Sequence, residues 1–168
     1  MGKRSIKENK NIYFECRDSL GLSRAQASEL MEGISESSLE KMETGKTNIY
    51  PEDVVLMAKA YKRPDLCNYY CTHECAIGRT SVPEVKISSL SEIVLAMLSS
   101  LNSLERQKDR LIEITADGKI SDDELEDFAN IQNQLEHIDA TVEALKLWVN
   151  GTIADGKIDK AKLDSLKK

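Results

Sequence analysis

Aromatic residues are scarce in this chain: two Phe, five Tyr and one Trp make up 5% of its 168 residues. A core with so few rings has to be assembled from Leu, Ile, Val, Met and Ala, which disfavours a β-sandwich and favours packed helices. No stretch approaches the roughly 18 consecutive apolar residues of a membrane span. The first ten residues, MGKRSIKENK, are polar and hold no apolar signal core. They also miss the myristoylation pattern, because Ile6 stands where Ser or Thr is required. Without an export signal, the four cysteines read as cytoplasmic thiols rather than as a disulfide framework.

An excess of positive charge is missing too. The net charge is -6, which argues against a protein that coats nucleic acid non-specifically. Residues 1–78 carry 11 Lys and Arg against 12 Asp and Glu, and the remainder carries 12 against 17. The N-terminal half is thus near neutral and the acidity sits in the C-terminal half, so any anion-binding face has to be local. At 40% hydrophobic and 31% charged, the composition is otherwise that of an ordinary globular protein.

What is present is helical patterning in two different styles. In the N-terminal half the helices are short and punctuated. Ile12, Phe14, Cys16 and Leu20 mark a first helix stopped at Gly21. Ser23, with Gln26 three residues on, forms a capping-box signature for a second, ending near Gly33. Ser35 caps a third that stops at Gly45, while Pro51 and Pro64 open a fourth and a fifth. Helices of this length are marginal alone and must share one core. Gly78, Ser81 and Pro83 break any helix that would follow. The expected organisation is a domain over residues 1–78, a linker over 79–87 and a second helical unit over 88–168.

The second unit follows heptad spacing. Leu90, Val94, Met97, Leu101 and Leu104 recur at intervals of 4, 3, 4 and 3, with Leu111 continuing the frame. Phe128, Ile131, Leu135, Ile138, Val142, Leu145 and Val149 repeat the pattern without a miss. Each series puts one apolar stripe on a long helix, so a helical hairpin is expected. Ile93, Leu98, Ile112 and Leu147 fall outside these seams and call for a further partner. Self-association through residues 88–149, as a coiled coil or a dimeric four-helix bundle, would supply it. ADGKI occurs at 116–120 and again at 154–158, each time as a helix-turn-helix joint. Ser121 with Glu124 forms a capping box after the first copy, and Asp159 can cap a short helix after the second.

The stretch LSRAQASELMEGISESSLEKMETGKTNIYPEDVVLMAKAY, residues 22–61, resembles the repressor domain of the Cro/C1 (XRE) family. The resemblance is carried by Leu22-Ser23-Arg24, by Ser28, by Leu39-x-x-Met42-Glu43-x-Gly45-Lys46 and by Pro51. It implies a five-helix, lambda-repressor-like domain, and with the C-terminal hairpin an all-α protein. It also implies a bacterial transcriptional regulator of the cytoplasm, binding double-stranded DNA as a homodimer, with repression as the mechanism. The third helix would enter the major groove.

Residue by residue, the resemblance places Glu36, Ser37 and Lys41 on the exposed face of that helix. Arg24 falls at a phosphate contact, and Thr44, Lys46 and Asn48 fall in the loop that touches the backbone. Lys41 can donate to guanine O6 or N7. Leu39 and Met42 would be the buried side, with Glu43 forming a structural ion pair to Arg17. Two departures stand out: carboxylates at Glu36 and Glu40, and a turn one residue longer than the family pattern. They leave open an alternative in which the domain serves as a protein-protein adaptor.

Cys67, Cys71 and Cys75 are spaced four apart with His73 between the last two. Thiolate and imidazole are zinc ligands, which opens a second alternative, a metal- or redox-responsive regulator. The spacing is irregular for zinc modules, however, and thiols each four apart along one straight helix are too far apart to share a metal unless the helix ends among them. No metal is therefore favoured, no cofactor is required, and these cysteines read first as small core residues. EITADGKISDDE, residues 113–124, superficially matches a calcium loop, but Glu113 and Thr115 are poor ligands at its first and third positions. The sequence holds no nucleophile-base arrangement or phosphate loop, so nothing points to an enzyme.

Overall fold

The computed structural model describes residues 10–86 and 88–166, and among them all regular structure is helical. In the N-terminal region the helices are α1 (Ile12–Ser19), α2 (Arg24–Leu30), α3 (Glu36–Glu43), α4 (Pro51–Ala60) and α5 (Asp65–His73). Their starts follow the capping residues. Asn11 Oδ1 accepts the Phe14 N–H at 3.0 Å, and Ser35 Oγ accepts the Ser38 N–H at 3.1 Å. The capping box of α2 is complete: Ser23 Oγ accepts from the Gln26 N–H, and Gln26 Oε1 accepts from the Ser23 N–H. Pro51 occupies the first turn of α4, where a missing N–H leaves no bond unmade.

The five helices close over one core, in which Ala27, Ile34, Leu39, Val54, Met57 and Leu66 are buried. The buried face of α1 includes only one of the residues that mark the helix in sequence, Cys16. It consists of Tyr13, Cys16 and Arg17, whereas Leu20 is exposed and Ile12 and Phe14 are only half-buried. Tyr13 can afford this position because its hydroxyl leaves the core and donates to Glu74 Oε1 at 3.0 Å.

The expected breaker stretch is corrected by a short helix, α6 (Gly78–Ser81). Gly78 is not there to interrupt a helix. It is buried against α5, where an added Cβ would stand 2.2 Å from the Cys71 carbonyl oxygen. The chain beyond α6 is tied down as well. The Asn68 side-chain amide donates to the Pro83 carbonyl at 2.9 Å and accepts from the Val85 N–H at 3.1 Å.

The long helices are α7 (Leu90–Ile114) and α8 (Leu125–Ala154), followed by α9 (Lys160–Leu166). Ser89 and Glu92 form a capping box at the start of α7. Gly118 supplies the left-handed residue of the α7–α8 turn at φ 73°. The Ser121 and Glu124 side chains bond as expected, although the α-helix itself begins only at Leu125. Asp159 Oδ1 accepts the Lys162 N–H at the start of α9.

α7 and α8 form the antiparallel hairpin, but the seam on α7 is rotated from the expected one. Ile93 and Ile114 are 3% and 1% exposed, whereas Val94 and Leu101, expected in the seam, are 40% and 44% exposed. Leu98 and Ile112 lie outside it as expected. Ile93, expected outside the seam, lies in it. The outward stripe is Leu90, Val94, Leu98, Leu101 and Ile112. The hydrophobic positions of α7 cover more than one face, so heptad spacing alone admitted two frames. On α8, Ile131 is buried toward α7, and Arg110 Nε pairs with Asp127 Oδ2 at 2.6 Å across the hairpin. Leu147, also expected outside the seam, is buried on another face of α8, near the turn between α4 and α5. There a Cβ on Gly151 would lie 4.0 Å from Pro64 Cγ. No described helix is long and apolar enough to cross a membrane.

Candidate nucleic-acid interface

The site is built around α3 and what fixes its orientation. Leu39, Met42 and Glu43 are buried on one side of this helix. Glu36, Ser37, Glu40 and Lys41 are exposed on the other. The inner side thus carries apolar anchors and a buried carboxylate, while the outer side is free to meet a partner.

Glu43 is the central electrostatic element. Arg17 meets its carboxylate with both Nε and Nη2, the latter at 2.8 Å from Oε2. This two-pronged bond holds the Arg17 guanidinium charged and pushes its pKa above the ordinary arginine range. Arg17 also donates from Nη1 to the Leu22 carbonyl, which joins α1 to the entry of α2. The ion pair expected between Arg17 and Glu43 is therefore present.

Arg24 enters the same network. Its Nε donates to Glu43 Oε2 at 2.8 Å, while its side chain remains 28% exposed. Sequence reasoning treated Arg24 as a phosphate contact alone. The structure gives it an additional partner and an orientation set from the core. No signal in the sequence distinguishes an arginine that reaches outward from one steered from behind.

The loop after α3 holds the remaining expected residues. Gly45 ends the helix at φ 67°, a left-handed conformation that a Cβ disfavours. Lys46 and Asn48 are exposed, and Thr44 is half-buried. The Thr44 hydroxyl donates back to the Glu40 carbonyl at 2.7 Å, so its proton is committed within the helix end. Asn11 was not among the expected residues. It caps α1, and its Nδ2 also donates to the Met42 carbonyl at 2.8 Å, fixing the C-terminal end of α3. Its place ahead of a helix marks it as a cap, but the long-range bond leaves no trace in local sequence.

The exposed surface of α3 is of mixed sign, with Lys41 beside Glu36 and Glu40, and Lys46 following in the loop. The cysteines lie elsewhere. Cys16 is buried, and Cys67 is half-buried against the core, which pushes the thiols of both up in pKa. Cys75 Sγ accepts from the Gly78 N–H at 3.4 Å, and His73 stacks on Tyr69 with ring centres 4.3 Å apart. Among the described residues, no group of three or more His, Cys, Asp or Glu side chains comes together as a metal ion would need.

Comparison with known proteins bears on this region. Searches of curated proteins and of solved structures returned no match. Residues 14–65, which run from α1 to the start of α5, match the family model described as Helix-turn-helix. With α2 and α3 joined through residues 31–35 and α3 presenting an exposed face, the N-terminal region of the chain is a helix-turn-helix domain of the Cro/C1 (XRE) type, a DNA-binding regulatory family.

Proposed function

We propose that this protein is a sequence-specific transcriptional repressor that binds DNA as a homodimer. The observation that carries the reading is the family match together with the two-sided character of α3. One side is anchored by Leu39, Met42 and Glu43, and the other offers Ser37 and Lys41 outward. In this reading α3 lies in the major groove, and Lys41 and Ser37 read base edges. Arg24, steered by Glu43, donates its remaining N–H groups to phosphate, and Lys46 and Asn48 meet the backbone beyond α3.

One such domain has few cations on its contact face, so its affinity alone is modest. Two domains held together gain through effective concentration. The exposed apolar stripe of α7 supplies a surface for that pairing. Occupation of a promoter by the dimer would then block transcription.

The test is fluorescence anisotropy of the full chain against DNA from upstream of its own gene, with a scrambled control, across a salt series. Tight binding to the native fragment that weakens steeply with salt is expected. Binding that is equally weak on both, followed by an empty genome-wide selection for bound sequences, would overturn the reading. Glu36 and Glu40 on the outward face of α3 favour that second outcome, an adaptor that docks proteins rather than DNA.

A further inference from the structure

The N-terminal helices and the hairpin meet at a cleft that belongs to neither the α3 face nor the α7 stripe. Its volume is about 300 Å³, at the lower end of the range for small-molecule sites. Pro64, Leu147 and Trp148 line its apolar part, and Lys62, Lys157 and Asp155 stand among its polar groups.

The charges in the cleft are unequally spent. Asp65 is held in a bidentate pair by Arg63, at 2.8 and 2.6 Å, and Asp155 is held by Lys157 at 2.8 Å. Lys62 makes no close ion pair among the described residues, although after Lys157 its charge also helps to hold the Asp155 carboxyl below its ordinary pKa. Its backbone adds a second observation. Lys62 is at φ 54°, the one left-handed residue other than glycine among the described residues. It follows the last turn of α4, and the next residue's N–H reaches back to the Ala58 carbonyl at 2.9 Å. This is the helix-ending position that glycine ordinarily fills. A lysine there gives up backbone stability and gains a cation at the mouth of the cleft. Strained residues of this kind cluster at ligand clamps.

We propose that this cleft binds a small aromatic carboxylate, its ring against Trp148, Leu147 and Pro64 and its carboxylate on Lys62. Three cations against two carboxylates leave the lining with one unneutralised positive charge, which suits a monoanion. An occupant would touch the α4–α5 turn and α8 at once, bridging the two halves of the chain.

Trp148 is the only tryptophan in the chain, so its indole N–H gives a single, directly assignable signal in a proton–nitrogen correlation spectrum. The experiment titrates the full chain with benzoate, and in parallel with its neutral analogue benzamide, in the absence of DNA. Its outcome is therefore independent of the DNA-binding reading. The expected result is a saturable shift of the Trp148 signal with benzoate, at least five-fold tighter than with benzamide. Lys62→Gly should abolish that preference without lowering Tm, because glycine relieves the left-handed backbone. No saturable shift at Trp148, equal affinity for the two probes, or an unchanged preference in Lys62→Gly would each overturn the proposal.

Discussion

Glu43 Oε2 and Arg24 Nε stand 2.8 Å apart, and the same oxygen receives Arg17 Nη2 from the opposite side of the network. One buried carboxylate thereby serves two arginines with different duties. Arg17 is buried and structural, whereas Arg24 is part-exposed at the edge of the candidate interface. Glu43→Ala would strand the buried Arg17 charge, and a loss of about 3–5 kcal/mol is expected. Arg24→Ala breaks only a part-exposed pair and should change stability by less than about 1 kcal/mol. If the DNA-binding reading holds, it should nevertheless weaken binding to specific and scrambled DNA alike. Urea denaturation and anisotropy on the two variants separate these effects. A large stability loss in Arg24→Ala would show that its role is structural.

The loop lysine and the carboxylates of α3 should act in opposite directions on DNA affinity. Lys46 is exposed beyond Gly45, and as a phosphate contact its replacement by Ala should reduce the salt-dependence slope by about 1. Glu40→Gln removes a charge that repels phosphate and should strengthen binding to any sequence. Slopes of log affinity against log salt for both variants provide the measurement. Unchanged slopes in both would move the α3 face from DNA to a protein partner.

Much of this arrangement was legible in the sequence because it is written locally. Ser23 with Gln26, Ser35, Pro51 and Gly45 are helix-boundary signals whose physics acts over one turn, and each marks an observed boundary. The burial of Leu39 and Met42 and the pairing of Arg17 with Glu43 followed from the family resemblance. What was not legible depends on distant partners. Gly78 read as a breaker because its reason for being glycine, the Cys71 carbonyl, is seven residues away on a different helix. Asn11 to Met42 and Asn68 to Pro83 span 31 and 15 residues. The seam of α7 was ambiguous for a different reason. Ile93 and Val94 are adjacent and equally apolar, and only the partner helix decides which turns inward.

Gly78 offers a sharp test of that packing. A methyl group there would stand 2.2 Å from the Cys71 oxygen and 2.7 Å from its carbonyl carbon, both backbone atoms that cannot rotate away. Gly78→Ala should therefore force α6 off α5, at about 1–3 kcal/mol or more. Gly151→Ala is the matched control. Its new Cβ would meet Pro64 Cγ at an ordinary 4.0 Å, within a helix that prefers alanine by about 0.5–1 kcal/mol. Thermal melts should thus move in opposite directions for the two glycines. A neutral Gly78→Ala would contradict the close approach.

Alkaline pH should unfold the N-terminal core selectively. Burial raises the pKa of Tyr13 and Tyr61, and of the Cys16 and Cys67 thiols, above their ordinary values of 10.0 and 9.0. In the folded state these groups stay neutral where the unfolded chain has already lost its protons. Their contribution is fully present below the unfolded values and is lost as pH rises through the folded ones. Tm should therefore fall progressively above about pH 9. Phenolate absorbance at 295 nm should show two of the tyrosines ionising only as the helical signal disappears. Ionisation of all five tyrosines ahead of unfolding would show that Tyr13 and Tyr61 are not protected.

The outward stripe of α7 separates a hairpin that is complete by itself from one that needs a second copy. Leu98 and Ile112 are 52% and 62% exposed on the same helix that buries Ile93 and Ile114 against α8. A glutamate at a buried seam position and one on the outward stripe should have different consequences. Ile114→Glu places a charge between α7 and α8 and should melt the hairpin, lowering helical content. Leu98→Glu leaves the seam intact, so helical content should be retained. If the stripe mediates self-association, the mass from sedimentation equilibrium should fall from that of a dimer to that of a monomer. DNA affinity should fall with it, because two half-sites would no longer be engaged together. A wild-type chain that sediments as a monomer would remove dimerisation from the mechanism. A dimer that survives Leu98→Glu would place the interface on another surface.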